Sequence, residues 1–118
     1  LRISSQFPKD SYFFGLGERV HQFRLSNKAT YTMWPTNNGT PYDNGELPGK
    51  NLYGHQPFYM QMDPSSAEYH GVLWANSNAQ QVTLDEEIIT LTTIGGIMEF
   101  YFIMGPTPAH VMKQYQTL

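Results

Sequence analysis

The stretch IITLTTIGGIMEFYFIM, residues 88–104, carries the strongest structural signal in the chain. Two runs rich in β-branched and aromatic residues flank Gly95-Gly96, a pair typical of a type I′ hairpin turn because both central positions of that turn need positive φ. Apolar residues occupy both faces of the second run, as in a central strand that is covered on each side. One face contains Met98, Phe100, Phe102 and Met104, and the other contains Ile97, Glu99, Tyr101 and Ile103. The pattern therefore predicts an antiparallel hairpin with a buried second strand.

Shorter alternating runs upstream predict further strands, separated by clusters of Gly, Pro, Asn and Asp. The sequence Asp63-Pro64-Ser65-Ser66 has the composition of a turn, so we expect consecutive strands to form a meander that leads into the hairpin. Short strands at this spacing are typical of an all-β antiparallel sandwich. The expected strands contain Leu1 and Ile3, then Phe58, Met60 and Met62, then residues 70–75, and then residues 81–84.

The last residues predict a helix. Thr107 can cap it and Pro108 can take its first position, where a missing N–H costs nothing. The chain begins at Leu1 rather than methionine and ends inside this expected helix, so we expect a segment of a longer polypeptide. Residues 1–105 would form the sandwich domain, and residues 106–118 would begin a helix that leads into a following domain. The apolar face of this helix consists of Val111, Met112, Tyr115 and Leu118.

Composition excludes several classes of function. The net charge is -3, charged residues make up 14% of the 118, and there is no basic run, so neither nucleic acid nor a membrane surface is an expected partner. The chain is also shorter than the roughly 250 residues of a (β/α)₈ barrel. Because cysteine is absent and the four histidines are far apart in sequence, we expect no disulfide, no metal and no cofactor.

One long segment lacks the strand pattern. Residues 35–51 read PTNNGTPYDNGELPGKN, and loops beyond about 12 residues in compact domains are usually functional or disordered. Trp34 at its border and Tyr42 within it favour a packed or ligand-facing role. The triplet Asn38-Gly39-Thr40 also fits the acceptor pattern for N-glycosylation.

The acidic residues do not form an evident catalytic pair. Asp85, Glu86 and Glu87 are consecutive and indicate a solvated turn before a strand. Glu99, within an apolar strand, favours a structural role. The run Gly15-Leu16-Gly17-Glu18 lacks the third glycine of a nucleotide-binding loop. A tight turn in which Glu18 accepts hydrogen bonds from backbone amides is the favoured interpretation.

Five strings in fixed order resemble the N-terminal domain of glycoside hydrolase family 31 α-glucosidases. They are FFGLGERVHQFR, YTMWP, NLYGHQPFYM, HGVLWANSNA and TTIGGIMEFYFIMGPTPAHVMKQYQTL, and together they span almost all of the chain from Tyr12 onward. The resemblance implies a galactose mutarotase-like β-sandwich beside a (β/α)₈ barrel of the same polypeptide. It implies a retaining enzyme that releases terminal α-linked glucose from oligosaccharides. The family's catalytic motifs belong to the barrel and do not occur here, so no catalytic residue is expected in this chain.

The resemblance also implies a substrate contact from the long loop. In the family, this loop reaches over the active-site pocket and offers an aspartate to a sugar hydroxyl. The corresponding position here is Asn37, with Asn38 adjacent, and Asp43 could replace the aspartate if the loop doubles back. Asn37, Asn38 and Asp43 are therefore the expected substrate-binding residues. An amide can still hydrogen-bond a hydroxyl but without the charge assistance of a carboxylate.

Two other functions stay open at this point. The chain could be a free-standing carbohydrate-binding module that uses Trp34, Tyr42 and nearby amides, or a non-catalytic interaction domain. For the parent protein we expect a secretory-pathway location, either lysosomal, vacuolar or extracellular.

Overall fold

The computed structural model describes residues 1–36 and 50–118, which contain eight β-strands and one α-helix. All strand pairs are antiparallel. The all-β prediction is therefore confirmed. The elements are β1 Arg2–Gln6, β2 Tyr12–Gly15, β3 Lys28–Met33, β4 Phe58–Met62, β5 Tyr69–Trp74, β6 Gln80–Asp85, β7 Ile88–Thr93, β8 Phe100–Met104 and α1 Pro108–Tyr115.

The strands form two four-stranded sheets. The first sheet has the order β1-β7-β6-β3, and the second has the order β2-β4-β5-β8. A core of apolar side chains fills the space between them, with Trp74 and Phe13 almost fully buried. Burying side chains of this size removes much apolar surface from water, which is the main favourable contribution to folding. This arrangement is the predicted β-sandwich.

The helix α1 covers the outer face of the second sheet. Val111 is fully buried there, and the ring of Tyr115 stacks on Phe58 at a centroid distance of 4.3 Å. Thr107 is the N-cap, and its hydroxyl accepts a hydrogen bond from the amide of His110, as its position before Pro108 predicted. Phe58 therefore packs against the helix, while the next residue in β4, Tyr59, packs in the core between the sheets.

The predicted apolar face of the helix is only half right. Val111 and Tyr115 pack against the second sheet, but Met112 is 38% exposed. The helix ends at Tyr115, and Leu118 lies beyond it with 64% of its surface exposed. A helix of eight residues buries only one narrow stripe of side chains against the second sheet, so the other apolar residues stay exposed.

The predicted hairpin across Gly95-Gly96 is wrong. β7 lies in the first sheet and β8 in the second, so the two glycines belong to a crossover between sheets. Gly96 has a φ of 84°, but Gly95 does not adopt positive φ, and a type I′ turn needs both. The prediction of a central β8 is wrong as well. It is the end strand of the second sheet within the described residues, and Phe102 is 71% exposed.

The predicted meander is also wrong, because β5 and β6 lie in different sheets. The hairpins that do form are β4–β5 and β6–β7. In the first, Asp63 Oδ1 accepts hydrogen bonds from the amide and the hydroxyl of Ser65, which confirms the predicted turn. In the second, Asp85, Glu86 and Glu87 are exposed, as predicted, and Glu86 has a φ of 52°.

One buried asparagine joins the two crossovers. The side-chain amide of Asn76, in the β5–β6 crossover, donates to the carbonyls of Gly95 at 2.9 Å and Ile97 at 3.1 Å, in the β7–β8 crossover. Its Oδ1 accepts from the amide of Asn78 at 2.8 Å. A Cβ on Gly96 would lie 2.7 Å from Asn76 Nδ2, so this approach needs glycine. Two of the points at which the chain changes sheets are thus held by one side chain.

We expect Asn76→Ala to lower the free energy of unfolding by about 1–3 kcal/mol, because two carbonyls at a half-buried site lose their donor. Urea denaturation measures the change. Asn76→Asp keeps the shape and the acceptor but removes both donated bonds, so it should destabilise at least as much. Ser77→Ala, at an exposed neighbour, is the control. An unchanged urea midpoint for both Asn76 variants would contradict this role.

Candidate functional site

The two ends of the long polar segment meet in a short neck. The amide of Thr36 donates to the carbonyl of Leu52 at 2.8 Å, and Thr36 Oγ1 donates to the carbonyl of Asn51 at 2.8 Å. We call residues 34–36 and 50–54 the loop base. Two hydrogen bonds across the neck fix where the intervening segment leaves the sandwich.

Arg19 links the loop base to the first sheet, because its backbone pairs with Asn51 and its side chain reaches β3. Its Nε donates to the carbonyl of Leu16 at 2.7 Å, and its Nη2 donates to the carbonyl of Thr32 at 2.5 Å near the end of β3. The guanidinium also lies 5.4 Å from the ring centroid of Tyr31, within the range of a cation–π contact. Burial lowers the pKa of Arg19 and raises the pKa of Tyr31 from their ordinary values. A planar group with several fixed donors is well suited to hold two carbonyls at once.

The turn at residues 15–18 contacts the other side of the loop base. Glu18 Oε2 accepts a hydrogen bond from the amide of Gly54 at 2.7 Å, and the carbonyl of Glu18 accepts one from the amide of Leu52 at 2.9 Å. The predicted hydrogen bond from a backbone amide to Glu18 is therefore confirmed, but its donor Gly54 lies 36 residues away and not in a tight turn. Gly15 has a φ of 108°, and a Cβ there would lie 2.5 Å from the carbonyl oxygen of Phe58. Gly15 therefore serves close backbone packing, whereas a Cβ on Gly17 would meet nothing within 4 Å.

The buried side chain of Asn51 also stabilises the neck. Its Nδ2 donates to the carbonyls of Leu52 at 3.0 Å and Gly54 at 2.9 Å. The adjacent His55 lies beside the Gln80 carboxamide, and its pKa is lowered because burial outweighs the opposing effect of Gln80. A lowered pKa keeps this imidazole neutral near pH 7. The loop base is thus a hydrogen-bonded platform whose only charged residue is Lys50, and Glu18 and Arg19 lie beside it.

The predicted substrate-binding residues Asn37, Asn38 and Asp43 lie outside the described residues. Trp34, on the border of the segment, is 58% exposed. The residues that hold the loop base, above all Arg19, were missed by the sequence analysis. Arg19 gave no periodic or turn signal, and its role depends on backbone carbonyls that the fold brings to it.

Several acidic residues in the described part of the chain have structural contacts. Glu99 accepts from the Tyr101 hydroxyl at 2.6 Å, in agreement with the structural role predicted for it. Glu86 forms an exposed ion pair with Lys28 at 2.9 Å. Within residues 1–36 and 50–118, no three His, Cys, Asp or Glu side chains come together in a way that could hold a metal ion. No helix in that part is long and apolar enough to cross a bilayer.

Residues 1–82 match the family described as the glycosyl hydrolase 31 N-terminal galactose mutarotase-like domain. The match covers more than half of the chain and contains the first five strands, the start of β6 and the whole loop base. The chain belongs to this family. The β-sandwich and the resemblance stated above are thereby confirmed.

Relatives of the family share substantial identity over the whole chain. Intestinal sucrase-isomaltase of Suncus murinus is 41% identical over 121 residues, and the alignment covers all of this chain and 6% of the relative. An α-glucosidase of Hordeum vulgare is 37% identical over 121 residues, again with all of this chain and 13% of the relative. The chain therefore spans a small part of the length of these curated relatives.

A solved structure supports the fold. The family 31 α-glucosidase of Bacteroides thetaiotaomicron superposes with a TM-score of 0.81 and 22% identity, covering 98% of this chain and 19% of that one. At this identity the superposition supports the arrangement of strands. It extends over β7, β8 and α1, which lie beyond residues 1–82.

We expect Arg19→Lys to loosen the loop base, because an ammonium group cannot reproduce the guanidinium's fixed donors to Leu16 and Thr32. Hydrogen exchange at the amides of Thr36 and Leu52 measures the effect, and both should exchange faster. Arg24→Lys is the matched control, since the Arg24 guanidinium lies over the ring of Tyr12, 3.6 Å from its centroid. Equal exchange in Arg19→Lys and the control would show that Arg19 does not hold the neck.

Proposed function

We propose that this chain is an accessory domain of a retaining α-glucosidase that hydrolyses terminal α-linked glucose from oligosaccharides. The support comes from the family and from relatives named sucrase-isomaltase and α-glucosidase. Retaining hydrolysis needs two carboxyl groups about 5 Å apart on either side of the glycosidic bond. The family resemblance implies that the reacting pair comes from a (β/α)₈ barrel of the same polypeptide, and in this chain Glu18, Glu86 and Glu99 are engaged in structural contacts.

The observation that carries the proposal is the hydrogen-bonded loop base. A loop can place a side chain on a substrate reproducibly only if its ends are fixed, since contacts of this kind depend on positioning within fractions of an ångström. Arg19 and Glu18 fix both ends against the sandwich, and Thr36 joins the ends to each other. Residues 37–49 would use this platform to reach the active-site pocket.

In this proposal the helix α1 has a second role. Residues 1–105 form the sandwich domain, and residues 106–118 lead toward the barrel. Because Val111 and Tyr115 anchor α1 on the second sheet, the direction in which the chain leaves the domain is fixed by packing. The fixed direction of α1 and the fixed loop base would together determine the orientation of the domain relative to the barrel.

We expect alanine at Asn37, Asn38 or Asp43 to reduce kcat/KM for maltose in the complete polypeptide by roughly 5–10-fold. This is the loss expected for one hydrogen bond to a sugar hydroxyl. Steady-state kinetics of each variant measure it, with Gln22→Ala, at an exposed position in a different segment, as the control. If all three variants match the control in KM and kcat, the loop does not contact the substrate.

The secretory-pathway location, whether lysosomal, vacuolar or extracellular, remains a proposal for the parent protein. The family and its intestinal sucrase-isomaltase relatives motivate it. Fractionation of source cells should place the protein in lysosomes, vacuoles or the medium, and recovery in the cytosol would contradict the proposal.

A further inference from the structure

The outer face of the first sheet is unusually rich in hydroxyl and amide groups. Strand register aligns its residues in two rows, because Thr30 pairs with Thr83 and Thr32 pairs with Gln81, and both rows continue across β7 and β1. Every member of one row has a hydroxyl group. We call this surface the threonine face: one row is Thr30, Thr83, Thr90 and Ser4, and the other is Thr32, Gln81, Thr92 and Arg2.

Hydrogen bonds between strands fix the side chains of the hydroxyl row. The hydroxyls of Thr30 and Thr83 lie 3.1 Å apart, and those of Ser4 and Thr90 lie 2.9 Å apart. A hydroxyl has one donor and two acceptor positions, so each pair keeps hydrogen-bonding capacity after making this contact. Thr90 itself is buried, while Thr30, Thr83 and Ser4 remain at least partly exposed. These three hydroxyls form a preorganised set of donors and acceptors, which lowers the entropy lost when a ligand binds.

An exposed tryptophan stands at one end of this face. Trp34 follows β3 and, with Thr32, Gln81 and Thr92, lines a groove of about 180 Å³. Ile94, 79% exposed, forms part of the same groove. Enclosed ligand pockets usually exceed about 300 Å³, so this groove suits one unit of a ligand that extends along the sheet.

We propose that the threonine face, with Trp34 at its end, is a carbohydrate-binding surface for an α-glucan chain, separate from the proposed contacts of residues 37–49. The indole ring would pack against the C–H groups on one face of a sugar ring. Gln81 and the threonine hydroxyls would hydrogen-bond the sugar hydroxyls. The choice of an α-glucan as ligand rests on the proposed α-glucosidase function.

The charges on this surface favour a neutral polyhydroxylated ligand. The centre of both rows is uncharged, and Arg2 lies at one edge. Beyond the hydroxyl row, Lys28 and Asp85 are register partners and carry opposite charges. Nucleic acid would need a basic patch. A protein partner would favour aromatic or arginine anchors in the middle of the surface, where threonines lie instead.

The helix α1 does not cover the threonine face. The first sheet presents it on the side of the sandwich opposite α1, which packs on the outer face of the second sheet. In the proposed enzyme, the link to the barrel starts at α1. A glucan could then lie on the far side of the domain without competing with that link.

The test is native electrophoresis of the complete polypeptide in gels containing soluble starch, with dextran gels for comparison. We expect starch to retard the wild type, Trp34→Ala to weaken the apparent affinity roughly tenfold, and Gln81→Ala to weaken it about two- to tenfold. The KM for maltose should be unchanged in Gln81→Ala, because this small substrate needs the active site alone. Equal retardation by dextran would extend the ligand class to α-1,6-linked glucan.

Matched controls separate this surface from general effects. Phe23→Ala removes an aromatic ring that is 84% exposed and lies against Phe14 on the side of the second sheet, and Gln116→Ala removes an exposed glutamine after α1. Both should bind starch as the wild type does. Wild-type retardation of Trp34→Ala and Gln81→Ala would overturn the proposal, as would a wild type that starch does not retard. A polypeptide that binds starch through this face but does not hydrolyse maltose would overturn the enzyme function and leave the surface standing.

Discussion

The fold depends on where the chain changes sheets, and the carboxamide of Asn76 fixes two of these changes at once. It lies in the β5–β6 crossover and donates to two carbonyls of the β7–β8 crossover. Without those changes, β6 and β7 could not pair in the first sheet while β5 and β8 pair in the second. The sandwich then places the end of β3 beside the start of β6, next to the loop base.

Both proposed sugar contacts depend on the end of β3. Arg19 donates to the carbonyl of Thr32, whose side chain belongs to the threonine face, and it also holds the turn that carries Glu18 against the loop base. Trp34 therefore lies between the threonine face and the loop base, and the Arg19 guanidinium contacts the strand end beside it. A rigid strand end serves this purpose better than a loop, because sites on regular elements are held more precisely.

The sequence predicted local features better than topology. Turn chemistry at Asp63 and capping by Thr107 were both correct, since each depends on residues within a few positions. The prediction of a hairpin across Gly95-Gly96 was wrong because a glycine pair permits a tight turn but does not require one. Asn76, 19 residues before Gly95, decides the outcome, and no local pattern reveals such a contact. The sequence analysis missed the role of Arg19 for the same reason, because its contact with Thr32 is also not local.

The apolar pattern of β8 shows how burial can be misread. Apolar residues on both faces predicted a central strand, yet β8 ends the second sheet and exposes Phe102 and Met104. Ile103, on the opposite face, is buried beneath Val111 of α1, so the helix accounts for one apolar face of the strand. The threonine face is the contrasting case, because its hydroxyls and amides can remain in water at little cost. The two sides of the sandwich therefore differ in chemistry: the side with α1 is apolar and suited to packing, and the opposite side is polar and suited to a hydrated ligand.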